Sequence, residues 1–268
     1  MGDCSHCRMV LSPPSRSETV KSPQLRSMDL MESRRETKIS PPILLVGFKA
    51  YLEATGARAV ALSQLAQEAS ERTGAAVVVI PQYTDIPIIA QRVKIPVFAQ
   101  HIDPIEPGSH TGHVLPEAVK EAGAAGTLVN HSERPLARSD LAKAIQRARE
   151  VGLVSCACCN DEKSCSWIAA LGPDMMLIES PELIGTGRAI SRTDPALLRT
   201  AARSVRSVNR NVLLICGAGI SSATDVSAAV EMGLDGVGVA SAIVKSKDPL
   251  GVLLQLAEAL VEKFSRRN

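Results

Sequence analysis

A single acid, Glu179, follows the apolar run Met175–Ile178 and opens a loop that carries Pro181, Gly185 and Gly187. A carboxylate at the end of a buried strand, followed by a loop with stiff and soft points, is suited to moving a proton under a closing lid. Two other strand ends carry complementary groups. The run GTLVNH (126–131) ends in Asn130 and His131, and the following Ser-Glu-Arg-Pro reads as the opening of a short helical turn. Backbone N–H groups aimed at an imidazole disfavour its protonation, so His131 is expected as a neutral hydrogen-bond donor. Glu133 and Arg134 read as a structural ion pair. The run ILLVGFK presents Gly47, Phe48 and Lys49, the lysine being placed to neutralise an anionic substrate. Small residues in CGAGIS (216–221) and ASA (240–242) let backbone amides approach an anion such as phosphate. The set comprises one base, one neutral electrophile, one fixed cation and one anion cup.

These groups are far apart in the chain, so the surrounding elements must bring them together. From Pro41 onward a strand–helix unit repeats. Strands are expected at 43–49, 76–80, 96–101, 126–131, 153–158, 175–179, 212–216 and 236–240. Helices are expected at 57–73, 84–93, 115–122, 139–150, 162–171, 194–208, 222–232 and 249–264. Such alternation implies a parallel sheet. Eight units with no break in texture favour closure into a single (β/α)8 barrel, whose strands all end at one mouth. No G-x-G-x-x-G follows the first strand, which weakens the doubly wound, dinucleotide-binding alternative.

Composition narrows the function classes. Aromatics make up only 2% of the chain, so the core must be built from Val, Ile, Leu and Ala, and base-stacking platforms are excluded. Residues 41–268 hold 23 basic and 23 acidic side chains, a balance that gives nucleic-acid binding no support. No apolar run approaches the ~20 residues of a membrane span. The first residues lack the apolar middle of a signal peptide, and the expected location is the cytoplasm. Residues 1–40 show no apolar period and read as a disordered extension, or as an upstream start with Met28 or Met31 as the alternative; 41–268 form the barrel domain. The seven cysteines are odd in number and only Cys4 and Cys7 make a well-formed pair, so neither a disulfide framework nor a metal site is expected. Reduced thiols packed as small apolar residues are the expectation.

The motifs NHSER (130–134), ESPELIGTG (179–187), CGAGIS and AQHIDPIEPGSHTGHVLPEAVKEAGA (99–124) resemble triosephosphate isomerase, specifically its short archaeal form, and the similarity runs over residues 43–265. The resemblance implies a TIM barrel that interconverts dihydroxyacetone phosphate and glyceraldehyde 3-phosphate without a cofactor or metal. It makes Glu179 the base, His131 the neutral electrophile and Lys49 the electrostatic clamp. Gly47 and Phe48 would adjoin the substrate beside Lys49, while Ile184, Gly219, Ala240 and Ser241 would hold its phosphate. Loop 180–187 would be the lid that keeps the enediolate from losing that phosphate. The loop SHTGH (109–113), with Thr111 at its tip, resembles the family's intersubunit loop and implies a homodimer or homotetramer.

Three positions depart from the family: Gly47 replaces Asn, Ser180 replaces the usual Pro, and Ala242 replaces a common Gly. Losing one donor near a developing oxyanion can cost about 2.7–4 kcal/mol. That leaves, as an alternative, a degenerate barrel that binds triose phosphate and turns it over weakly. A Schiff-base aldolase needs a desolvated lysine on an inner strand. Strands four to six present Asn130, His131, Cys158 and Glu179 instead.

Overall fold

The computed structural model describes residues 39–267. The expectation for residues 1–40, with Cys4 and Cys7, falls almost wholly outside the described residues. Eight strands follow one another: β1 (Ile43–Gly47), β2 (Ala76–Ile80), β3 (Phe98–Ala99), β4 (Gly126–Val129), β5 (Val154–Cys159), β6 (Met175–Ile178), β7 (Leu213–Cys216) and β8 (Gly236–Val239). All pair in parallel, in the order β2-β1-β8-β7-β6-β5-β4-β3. The two ends of that order meet through a single parallel bridge, Val79 to Val97, which nearly closes the barrel. β3 is much shorter than the expected 96–101. Pro96 has no N–H to give to a ladder, although its carbonyl accepts from Val79 N at 3.1 Å. Beyond Ala99 the chain leaves the sheet.

Period two divides each strand between two apolar layers. Ile43 and Leu45 of β1 point inward with Val78, Phe98, Leu128, Cys156, Met175, Leu177 and Ile215. Leu44 and Val46 point outward into the layer shared with the helices. Burial on both faces explains why these strands read as continuous apolar runs rather than as alternation.

The longer helices occupy α1 (Ala57–Thr73), α4 (Arg138–Glu150), α5 (Glu162–Ala170), α7 (Pro195–Val208), α8 (Ala223–Glu231) and α10 (Pro249–Arg267). Shorter ones occupy α2 (Ile86–Ala90), α3 (Pro116–Glu121), α6 (Ile190–Thr193) and α9 (Ser241–Val244). α1 buries Ala59, Leu62, Ser63, Ala66 and Ala69, one stripe at helical spacing. It stops at Gly74, whose φ of 80° is left-handed and whose N–H returns to Ser70 O. α7 starts where the Asp194-Pro195 pair requires, with the Asp194 carboxylate accepting from Leu197 N at 3.0 Å. α10 packs between α1 and α8, joining the last helix to the first. It does so through Leu253, Leu256 and Leu260, each fully buried and contributing about 1.5–3 kcal/mol.

One cysteine expectation is corrected. Cys159, at the end of β5, and Cys165, in the first turn of α5, form a disulfide. Asp161 caps α5 through a capping box with Ser164 and folds the helix start back against the strand end. The two Cα atoms therefore stand 5.3 Å apart, within bridging range. Cys156, Cys158 and Cys216 remain free and buried, and burial pushes each thiol well above its ordinary range. Among the described residues no group of three His, Cys, Asp or Glu side chains is arranged to hold a metal ion. None of the described helices is long and apolar enough to cross a membrane.

Candidate active site

The carboxyl ends of the strands surround one cavity of about 740 Å³. Gly47 and Lys49, His131 and Glu133, Glu179, residues 184–187, residues 218–221 and residues 238–242 all line it. Far-separated residues meet there because every strand runs the same way.

Glu179 is set by the sheet itself. Its N–H donates to Cys159 O at 3.0 Å, extending the β5–β6 ladder by one residue. Its carboxylate reaches across the mouth, where Oε2 lies 3.0 Å from His131 Nε2. The two atoms are close but not aligned as a hydrogen bond, so Oε2 retains an unused acceptor. The other oxygen rests against Gly217, where a Cβ would collide with it. A Cβ at 217 would displace the Glu179 carboxylate from this position.

His131 is held in one state. The N–H of Glu133 donates to Nδ1 at 3.1 Å, and Arg134 N donates to His131 O at 2.8 Å. Residues 132–134 form a single turn that is not continued into a helix, and its amide points at the imidazole. An accepting Nδ1 carries no proton, which leaves the ring neutral with its hydrogen on Nε2, facing Glu179. Glu133 and Arg134 do pair, but not with each other. Glu133 Oε1 accepts from Lys49 Nζ at 2.8 Å, and Arg134 faces Asp103 at 3.5 Å.

Lys49 sits on strained backbone, with φ at +47° in a residue that has a Cβ. Such a conformation costs on the order of 1–3 kcal/mol and persists only when neighbours enforce it. Two do: Gln82 Nε2 and Gln100 Nε2 both donate to Lys49 O, at 2.6 and 2.8 Å. Sequence reasoning overlooked both glutamines. Each lies just past the end of its strand, and that position is the only signal they carry. Asn130 is a similar case. Its φ is +61°, its amide donates to Cys158 O at 3.0 Å, and its oxygen accepts from Leu136 N at 3.0 Å.

Gly47 faces the cavity with ordinary backbone. A Cβ built there meets nothing nearer than Ala240 Cβ at 3.7 Å, an ordinary contact. Phe48 goes elsewhere. Period two carries it outward with Leu44 and Val46, fully buried under the helices, and only its backbone passes the mouth.

At the far side, Ala218 and Gly219 adopt φ of +69° and +70°, and Gly219 abuts the backbone of Arg188 so closely that a Cβ would collide with it. Ile190 N donates to Ala218 O at 3.2 Å, fastening the exit of loop 180–187 to this turn. The loop contains one 3-10 turn, Pro181–Leu183, with left-handed Gly185 and Gly187 beyond it. Asp225 organises the turn from behind by accepting from Ser221 N and Ser222 N at 3.1 and 3.0 Å. Ala240 and Ser241 complete the wall, Ser241 opening α9.

A polar cluster borders the cavity beside Glu133. His101 Nε2 lies 3.1 Å from Asp103 Oδ1, and burial keeps the imidazole below its usual range. Burial pushes the Asp103 carboxyl up, but the Val114 N–H, His101 and Arg134 together hold it below the usual value. Burial also raises the Tyr83 phenol to about 12.

A carboxylate, an imidazole donor and a lysine at one mouth are a set that can enolise a carbonyl compound, and the small-residue turns opposite can seat an anion. The family model described as "Triosephosphate isomerase" matches residues 42–260. A triosephosphate isomerase of Methanobacterium bryantii is 45% identical over 219 residues, covering 82% of this chain and 97% of that protein. That of Methanocaldococcus jannaschii is 42% identical, covering 77% and 94%, and that of Caldivirga maquilingensis is 43% identical, covering 83% and 99%. Sequence match, barrel and site geometry agree: the chain belongs to the triosephosphate isomerase family.

Proposed function

We propose that Glu179, His131 and Lys49 divide the labour of the family's reaction in this chain, the interconversion of dihydroxyacetone phosphate and D-glyceraldehyde 3-phosphate. Glu179 removes the proton from the carbon beside the carbonyl and returns it to the neighbouring carbon. His131 donates from Nε2 to the carbonyl oxygen, a bond that strengthens as the enediolate forms. Lys49 offsets the charge that develops. Backbone groups of Ile184, Gly219, Ala240 and Ser241 hold the phosphate, and loop 180–187 shuts out water. The reading rests on the 3.0 Å approach of His131 Nε2 to Glu179 Oε2 inside a cavity shared with Lys49 and the anion turns. The reaction so written uses no cofactor. Nothing favours the weak-turnover alternative, since all three groups face the cavity and a Cβ at 47 would make only ordinary contacts.

A coupled isomerase assay on the purified protein tests the proposal. Rapid turnover of glyceraldehyde 3-phosphate, abolished by Glu179→Gln, is expected; turnover that survives the substitution would overturn the assignment of the base. We further propose a cytoplasmic homo-oligomer, of two or four chains. Residues 106–113 are exposed throughout and leave loop 109–113 available to a second copy. Light scattering at micromolar concentration checks this, and a monomer would contradict it.

A further inference from the structure

With a phosphate bound, the charges around the cavity would fall short on the positive side, and the shortfall points to a residue outside the roles described so far. Lys49 pairs with Glu133 at 2.8 Å, and Arg134 faces Asp103 at 3.5 Å. Glu179 adds a negative charge. A phosphate monoester brings close to two more at neutral pH. The third cation of the lining is Lys245, which pairs with no carboxylate among the described residues. Its ammonium lies over the Tyr51 ring, 4.5 Å from the centroid.

Helix geometry aims this lysine. Lys245 N donates to Ser241 O at 3.0 Å, so Lys245 stands one turn after the residue that opens α9. From that cap position the Lys245 side chain lines the same cavity as Gly219, Ala240 and Ser241, the residues that wall the anion cup. Tyr51 approaches from the end of β1 and supplies an aromatic face, which attracts a cation without neutralising it. A carboxylate in that place would have cancelled the charge.

We infer that Lys245, held at the rim by Tyr51, is a substrate-binding residue that meets the phosphate dianion and gives the site its preference for a doubly charged ligand. The inference rests on the reading of Gly219, Ala240 and Ser241 as the phosphate cup. Lys49 serves the reacting end; Lys245 serves the phosphate end. Because Lys245 is exposed, its field acts through partly screening solvent and weakens with salt.

The test compares wild type, Lys245→Met, which keeps the stem and removes the charge, and Lys245→Arg, which restores it. Each is assayed for kcat and KM with glyceraldehyde 3-phosphate, and for inhibition by inorganic phosphate, in low and high potassium chloride. For Lys245→Met, KM and the phosphate inhibition constant should both rise about five- to tenfold at low salt. The change in kcat should stay small, the salt dependence of kcat/KM should flatten, and Lys245→Arg should recover most of the loss. KM and phosphate inhibition that match wild type in Lys245→Met would overturn the role of Lys245. If inorganic phosphate fails to compete even in wild type, the cup itself is misplaced, and the inference falls with it for that separate reason.

Discussion

The backbone N–H of Glu133 donates to Nδ1 of His131 at 3.1 Å, and that one bond decides what the imidazole can do. With Nδ1 occupied as an acceptor, Nε2 bears the hydrogen and presents it to the cavity beside Glu179. A neutral donor also avoids placing an imidazolium against the Glu179 carboxylate 3.0 Å away, which would hold it in an ion pair. His131→Gln should lower kcat by about 10²–10³ with little change in KM, since the lost bond matters most to the enediolate. Steady-state kinetics separate the outcomes, and an increase in KM alone would contradict the role.

Glu179→Gln removes the proton acceptor and leaves the anion turns untouched. A loss of about 10²–10⁴ in kcat is expected, while inorganic phosphate should still inhibit residual turnover or bind by calorimetry with nearly unchanged affinity. Turnover within tenfold of wild type would show that another group is the base.

Gly47→Asn should raise kcat/KM by about tenfold, restoring a donor near the developing oxyanion. Gly47 is absent from the positive-φ positions, and its Cβ would have ordinary contacts at 3.7 and 3.8 Å, so the variant should fold without strain. An unchanged or lower value in the coupled assay would mean that another donor already serves.

Stability should decline as pH falls below about 6.5, the ordinary histidine value, because buried His101 resists a proton that the unfolded chain accepts. The contribution is fully present above that value and is lost towards the depressed folded value, at no more than about 1.4 kcal/mol per pH unit. Asp103, also held low, adds a second decline below its ordinary 3.8. Urea midpoints at pH 7 and 5.5 should differ less in His101→Gln than in wild type. An equal difference would remove His101 as the cause.

Reduction of Cys159–Cys165 should lower stability by about 2 kcal/mol, a modest effect because the bridged residues are only 6 apart in sequence. Thermal melts with and without dithiothreitol, with Cys159→Ser as control, check this. A control that responds equally to the reductant would locate the effect in other thiols.

The sequence by itself determined the order of elements and the side chains that end the strands at one mouth. The helix at 57–73, the strand at 76–80 and the Asp194-Pro195 helix start were legible because periodicity and caps are local. That Glu179, His131 and Lys49 share one cavity was legible because each ends an apolar run, and parallel strands carry such ends to one mouth. Tertiary structure decided who touches whom. Gln82 and Gln100 converge on the Lys49 carbonyl across 33 and 51 residues, and no local pattern encodes that meeting. Glu133 chose Lys49 over the adjacent Arg134, because the turn after β4 points it towards β1. Cys159 found Cys165 only once Asp161 had folded the helix start back onto the strand end. Near-closure of the barrel depends on one bridge between Val79 and Val97. Strand periods are set residue by residue, whereas register, closure and the aim of a side chain are settled by long-range packing all at once.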